Sequence, residues 1–166
     1  MDTGLFVARL VIGPLMAAHG AQKLFGWFGG YGLAGTAGFF EGLGFRPGRL
    51  FASAASVAEI VGGLLVALGV LGPVGPALMV SVMVVAFSVH WPNIFAQSNG
   101  IEVPFLYAGA ATALALTGYG SYSLDAALGL TPLWTSGLTW AALALGVLGG
   151  IANLGLRRPA NTPAHA

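Results

Sequence analysis

The sequence predicts an all-α protein, a polytopic bundle of transmembrane helices. Three observations carry that prediction. Apolar residues make up 57% of the 166-residue chain and charged residues only 7%, where an ordinary soluble domain carries roughly 25% charged residues. Five apolar segments approach or reach the length of a membrane span, separated by breaks rich in Gly, Pro and Asn. Lys and Arg cluster at alternate breaks rather than along the segments. The same composition excludes other classes. A net charge of +1 gives no basic field for nucleic acid. With no cysteine, the chain has no disulfide, thiolate nucleophile or iron–sulfur ligand.

The first segment covers residues 4–28. It opens on Met1-Asp2-Thr3 with no basic stretch and is as long as a span, so it reads as a retained helix rather than a signal peptide. Pro14 predicts a kink of the kind membrane helices tolerate. In the linker that follows, "TAGFFEGLGF" reads as a short amphipathic piece at the membrane surface. The second segment is 50–71. "GPVGP" then breaks the chain, with Pro near the start of the third segment, 76–91, where its missing N–H costs little. That segment stops at Trp91-Pro92 and is short, so it implies tilt. The loop "NIFAQSNGIE" leads into the fourth segment, 103–119. Thr131-Pro132 reads as N-cap and first residue of the fifth, 133–156. One domain, 1–156, is expected, with a disordered cytoplasmic tail over 157–166. Ala54, Ala58 and Gly62, and likewise Gly146 and Gly150, recur at the four-residue spacing that lets helices approach closely in lipid.

Five alternating crossings put Lys23, Arg46, Arg49, Arg157 and Arg158 on one side and Arg9 alone towards the other. The positive-inside rule makes the first side cytoplasmic, with the N-terminus outside. Trp27 and Trp91 then fall at the inner interface and Trp134 at the outer one.

Few polar groups lie within the segments, and such groups face the bundle interior and find partners. At about 1.5 Å per residue, Glu59 sits roughly 13 Å from the inner end of the second segment. His19 reaches a similar depth on the antiparallel first segment. Lys23 lies one turn nearer the cytoplasm, beside Gln22, and His90 ends the third segment. His19, Gln22, Lys23, Glu59 and His90 therefore share the inner half of the bilayer. Arg9 stands apart, about 15 Å further out by helix rise. Two readings follow. The cluster is either a polar lock that fixes helix register or a pocket that binds a polar head group and moves protons, a task suited to histidine. Haem held between His19 and His90 is disfavoured by their different depths. His19, His90 and Glu59 offer too few ligands for a clear metal site. Glu102, at the mouth of the fourth segment, reads as a helix cap or a solvated loop residue.

"HGAQKLFGWFGGYG", "VAEIVGGLLVALGVLG" and "GYGSYSLD", in that order, resemble the DoxX family of small bacterial membrane proteins. The resemblance implies a core of about four transmembrane helices in the cytoplasmic membrane, to which the fifth segment is an addition. The family's His-Gly-x-x-Lys matches His19, Gly20 and Lys23, its Glu-x-x-Gly-Gly matches Glu59, Gly62 and Gly63, and its Ser-Leu-Asp matches Ser123, Leu124 and Asp125. Tyr119 and Ser121 stand where the family ending "GPGRYSLD" has Pro and Arg. Members are commonly described as oxidoreductases, some acting with quinone and with partner subunits. The resemblance thus implies a quinone-handling membrane component. In it His19, Lys23 and Glu59 are catalytic, and Gly20, Gln22, Gly62, Gly63, His90 and Arg9 bind the ligand. Soluble or membrane redox subunits, or a second copy of the chain, are the implied partners. A non-enzymatic assembly factor and a small-solute transporter are the competing readings, the latter without a visible inverted repeat.

Overall fold

The computed structural model describes residues 1–158. The rest of the expected disordered tail, 159–166, lies outside the described residues. The elements in chain order are α1 (Asp2–Phe25), α2 (Gly32–Gly42), α3 (Gly48–Leu68), α4 (Val74–His90), α5 (Glu102–Thr117), the one-turn α6 (Leu124–Ala127) and α7 (Ser136–Gly155). Among the described residues there is no strand.

Local chemistry sets where the helices stop. α1 runs through Pro14 as one element and ends short of the expected Phe28, because Gly26 turns left-handed at φ 76° and returns its N–H to Gln22 O. The chain then folds back as α2, an 11-residue helix covering most of the expected short piece and packed against α3 and α1. The Thr36 hydroxyl pins α2 by donating to Lys23 O at 3.2 Å. Glu41 accepts from Gly48 N at 3.0 Å and so caps α3. The start of α7 differs from expectation. Thr131–Leu133 forms a separate 3₁₀ turn, and Thr135, not Thr131, is the N-cap, its hydroxyl accepting from Leu138 N. Glu102 braces the preceding loop by accepting from Ala96 N at 2.9 Å.

The helices α1, α3, α4 and α5 form a closed ring of neighbours: α1 packs on α3, α3 on α4, α4 on α5, and α5 back on α1. α7 lies outside this ring, against α4 and the flank of α5. Small residues make the tightest crossings. A Cβ on Gly20 would stand 2.5 Å from Ser56 O, and one on Gly13 would stand 2.6 Å from Gly63 O. Gly13 with Gly20, and Ser56 with Gly63, each lie seven residues apart, so two matched contacts clamp α1 to α3. Gly146 and Gly150 do the same for α7 on α4, against Ala77 and Val84.

The polarity of the bundle is inverted relative to a soluble protein. Leu10 and Leu15 of α1, Leu64 and Leu68 of α3, and Leu145 and Leu148 of α7 face outward, while Arg9 and Glu59 are each only 1% exposed. That is the arrangement a lipid surround requires. α1, α3 and α7 are long and apolar enough to cross a membrane; α4 and α5 are apolar but shorter, at 17 and 16 residues.

Candidate functional site

The polar side chains gather at two places, one at each end of the bundle. At the end where α1 finishes and α3 begins, Lys23 Nζ and Glu59 Oε1 form an ion pair at 2.5 Å. Glu59 is buried and Lys23 is 32% exposed. The second carboxylate oxygen, Oε2, is buried with no hydrogen-bond partner among the described residues. Lys23 and Glu59 lie three residues from Gly20 and Ser56 on opposite sides of that crossing, so the pair bridges the clamp between α1 and α3 and the clamp sets its geometry.

Lys23 also forms part of the wall of a cavity of about 770 Å³. The cavity lies between α2, α3 and α4, and α7 contributes Asn153. Phe39, Phe40, Phe45 and Phe51 supply aromatic surface, and Ala54 and Ala58 leave the space open. Two of the small residues expected to pack helices therefore serve to make volume, while Gly62 faces Gly75 and Met79 of α4. On another wall, His90 Nδ1 lies 2.7 Å from Asn99 O. A volume of this size, mostly apolar with a few polar groups, has the dimensions and lining of a small-molecule site.

Of the predicted site residues, the structure places Lys23 and His90 in the wall of this cavity, with Glu59 behind the wall as the ion-pair partner of Lys23. It takes the others elsewhere. His19 is exposed and does not line the cavity; its ring meets Tyr107 of α5 edge to face at 5.6 Å. His19 makes no hydrogen bond to Glu59 among the described residues; its ring is turned towards α5. Gln22 Nε2 donates to Phe28 O at 3.2 Å and holds the turn after α1. Gly20, Gly62 and Gly63 are buried in helix crossings and present no open face to a ligand. Sequence reasoning missed Asn153 and the four phenylalanines. The signal for Asn153 was present: it is a lone carboxamide in the apolar second half of α7.

Arg9 belongs to the opposite end. Its Nη2 donates to Tyr122 O at 2.5 Å. Its guanidinium carbon lies 5.7 Å from the Phe6 ring centre and 5.6 Å from that of Tyr119. Among the described residues no carboxylate is within ion-pair distance of it. Gly69, at φ 66°, ends α3 directly under this guanidinium, where a Cβ would collide with Nη1. Asp125 ties the α3–α4 turn, accepting from Leu71 N at 2.9 Å and from Gly72 N at 2.7 Å. Ser123 caps α6, and the Ser121 hydroxyl donates to Asp2. The Ser-Leu-Asp stretch is thus a backbone latch. Burial, and then the nearby Asp125 carboxylate, push the Tyr119 hydroxyl up from the usual tyrosine range, so it holds its proton at neutral pH. A smaller cavity of about 380 Å³ lies between this end of α5 and the start of α7.

An outward apolar surface, an inward set of polar groups and an aromatic cavity beside a buried ion pair define a polytopic helical membrane protein with a ligand-sized site. The chain belongs to the DoxX family, whose model matches residues 4–91, that is, α1 to the end of α4. No curated protein and no solved structure matches it. Lys23, Glu59 and His90 lie inside the matched span; Asn153 and the Asp125 latch lie beyond it.

Proposed function

We propose that this protein binds a quinone or a similar lipid-soluble redox molecule in the Lys23-walled cavity and serves as a component of a membrane oxidoreductase. One observation carries the reading: a cavity of about 770 Å³, lined by four phenylalanines, has in its wall an ammonium held from behind by a buried carboxylate. A ring with polar oxygens and an apolar tail matches that lining. The phenylalanines take the ring and chain, and Lys23 donates to an oxygen and stabilises negative charge that develops there. Glu59 holds Lys23 in position. His19, outside the cavity, has no direct role in this reading. Electrons are exchanged with a partner subunit, and this chain binds and orients the redox molecule.

The concentration of Lys23, Arg46, Arg49, Arg157 and Arg158 at the cavity end supports a cytoplasmic site in the bacterial inner membrane, with the N-terminus outside. The competing reading, a non-enzymatic subunit, is favoured by one fact: the Lys23–Glu59 pair adjoins the α1–α3 clamp and would lock it without any ligand.

Ala58→Phe separates the two. It fills the cavity and leaves the ion pair in place. With the protein in lipid nanodiscs, quinone binding followed by tryptophan fluorescence is expected to weaken at least about tenfold, with the melting temperature nearly unchanged. Binding of equal strength in both proteins would contradict the proposal, and no binding in either would favour the structural reading.

A further inference from the structure

The hydrogen bond made by His90 decides which form of a ligand this cavity prefers. Its partner, the Asn99 backbone carbonyl, can only accept. His90 Nδ1 therefore carries the hydrogen. In the neutral imidazole this leaves Nε2 as a bare acceptor, and Nε2 has no hydrogen bond to the protein among the described residues. Both His90 and the Asn99 that fixes its tautomer line the cavity. The remaining polar groups on the walls are of the opposite or mixed kind. Lys23 offers only donors, and the Asn153 amide, which makes no side-chain hydrogen bond within the described protein, offers both.

From this we infer that the cavity is selective for the hydroxyl-bearing, reduced form of its ligand, a hydroquinone or related phenol, with His90 as the specificity-determining acceptor. The inference rests on the quinone reading above. A hydroquinone satisfies both walls: one hydroxyl oxygen accepts from Lys23, and the other hydroxyl donates to His90 Nε2. A quinone can satisfy only the donors. Its second carbonyl cannot pair with His90 Nε2, and turning to the Asn153 amide leaves that acceptor without the hydrogen bond a hydroxyl would make. The preference amounts to one hydrogen bond at a half-buried acceptor. The step is one of binding, and no electron transfer is required for it.

The test uses the full-length protein in nanodiscs, kept anaerobic. The probes are a decyl-chain p-benzoquinone and its hydroquinone, whose dissociation constants are measured by titration. Wild type is expected to bind the hydroquinone about threefold to tenfold more tightly than the quinone, the worth of one hydrogen bond. His90→Leu is expected to abolish that ratio by weakening hydroquinone binding alone. Equal affinity of wild type for the two forms, or a preference for the quinone, would overturn the inference while leaving the cavity's function standing. Equal weakening of both forms in His90→Leu would overturn it too, by making His90 a packing residue. Failure of wild type to bind either probe would overturn the quinone reading itself.

Discussion

The two ends of the bundle bury charge in opposite ways. At the Arg9 end, polar groups are turned onto the backbone: Arg9 on Tyr122 O, Asp125 on Leu71 N and Gly72 N, Ser123 on Ala126 N. At the Lys23 end the main ion pair joins two side chains, leaves one carboxylate oxygen unpartnered and opens onto a large cavity. Arg9 makes one hydrogen bond, to a loop carbonyl, and its Nε and Nη1 are buried without a partner among the described residues, but it lines neither cavity, so it is placed to fix the chain and not to meet a ligand. A charge held by one side chain beside empty volume keeps donors free. The contrast separates the structural motif from the binding motif within one small protein, although both are rare polar residues in an apolar sequence.

The comparison can be broken at either end. The largest effect is expected at the clamp beneath the site: Gly63→Leu forces side-chain atoms into the α1 backbone at Gly13 and Ala17, and recovery of folded protein from detergent extracts should collapse. Asp125→Ala comes next. It leaves two backbone N–H groups without their acceptor and should cost about 2–4 kcal/mol in unfolding assays, while quinone affinity at the far end stays within a factor of two. Lys23→Met strands the buried Glu59. Breaking a buried pair costs about 3–5 kcal/mol, but Lys23 is 32% exposed, so solvent screening brings the expected loss to about 1–3 kcal/mol. The double variant Lys23→Met/Glu59→Leu should recover much of that stability but none of the ligand binding. The smallest effect belongs to Thr135→Ala at the cap of α7, about 0.5–1 kcal/mol, with affinity unchanged. If Asp125→Ala weakened ligand binding as strongly as Lys23→Met, the division between the two ends would fail.

Much of this was legible in the sequence, for definite reasons. Helix rise and alternating direction are enough to set Glu59 in the same half of the bilayer as His19 and Lys23, since all sit a countable distance from the same membrane face. The five apolar segments and the apolar exterior follow from segment length and composition, and the division into a four-helix core and an added fifth helix follows from the family resemblance. The direction of each side chain does not. His19 and Lys23 are one turn apart on α1, yet His19 meets Tyr107 while Lys23 meets Glu59, because a few tens of degrees around a helix decide which neighbour is faced. The cavity was also out of reach. It depends on α2 folding back as a helix, on Ala54 and Ala58 opening space instead of closing it, and on α7 bringing Asn153 to the wall. Arg157 and Arg158 read as tail residues, but the Arg157 guanidinium donates to Leu43 O and Arg158 N to Gly44 O, docking the end of α7 on the turn after α2. No local pattern encodes a contact between residues more than a hundred positions apart.

The most direct test asks which end takes the ligand. A quinone carrying a photoreactive diazirine on its tail would be irradiated with the protein in nanodiscs, and the labelled residues mapped by mass spectrometry. The cavity end predicts label on Phe39 to Ala58 and on Val82 to Asn99, competed away by unlabelled ligand and lost in Ala58→Phe. Competable label on Leu114 to Trp140, around the smaller cavity beside Asp125, would contradict the account and transfer the site to the end read here as a latch.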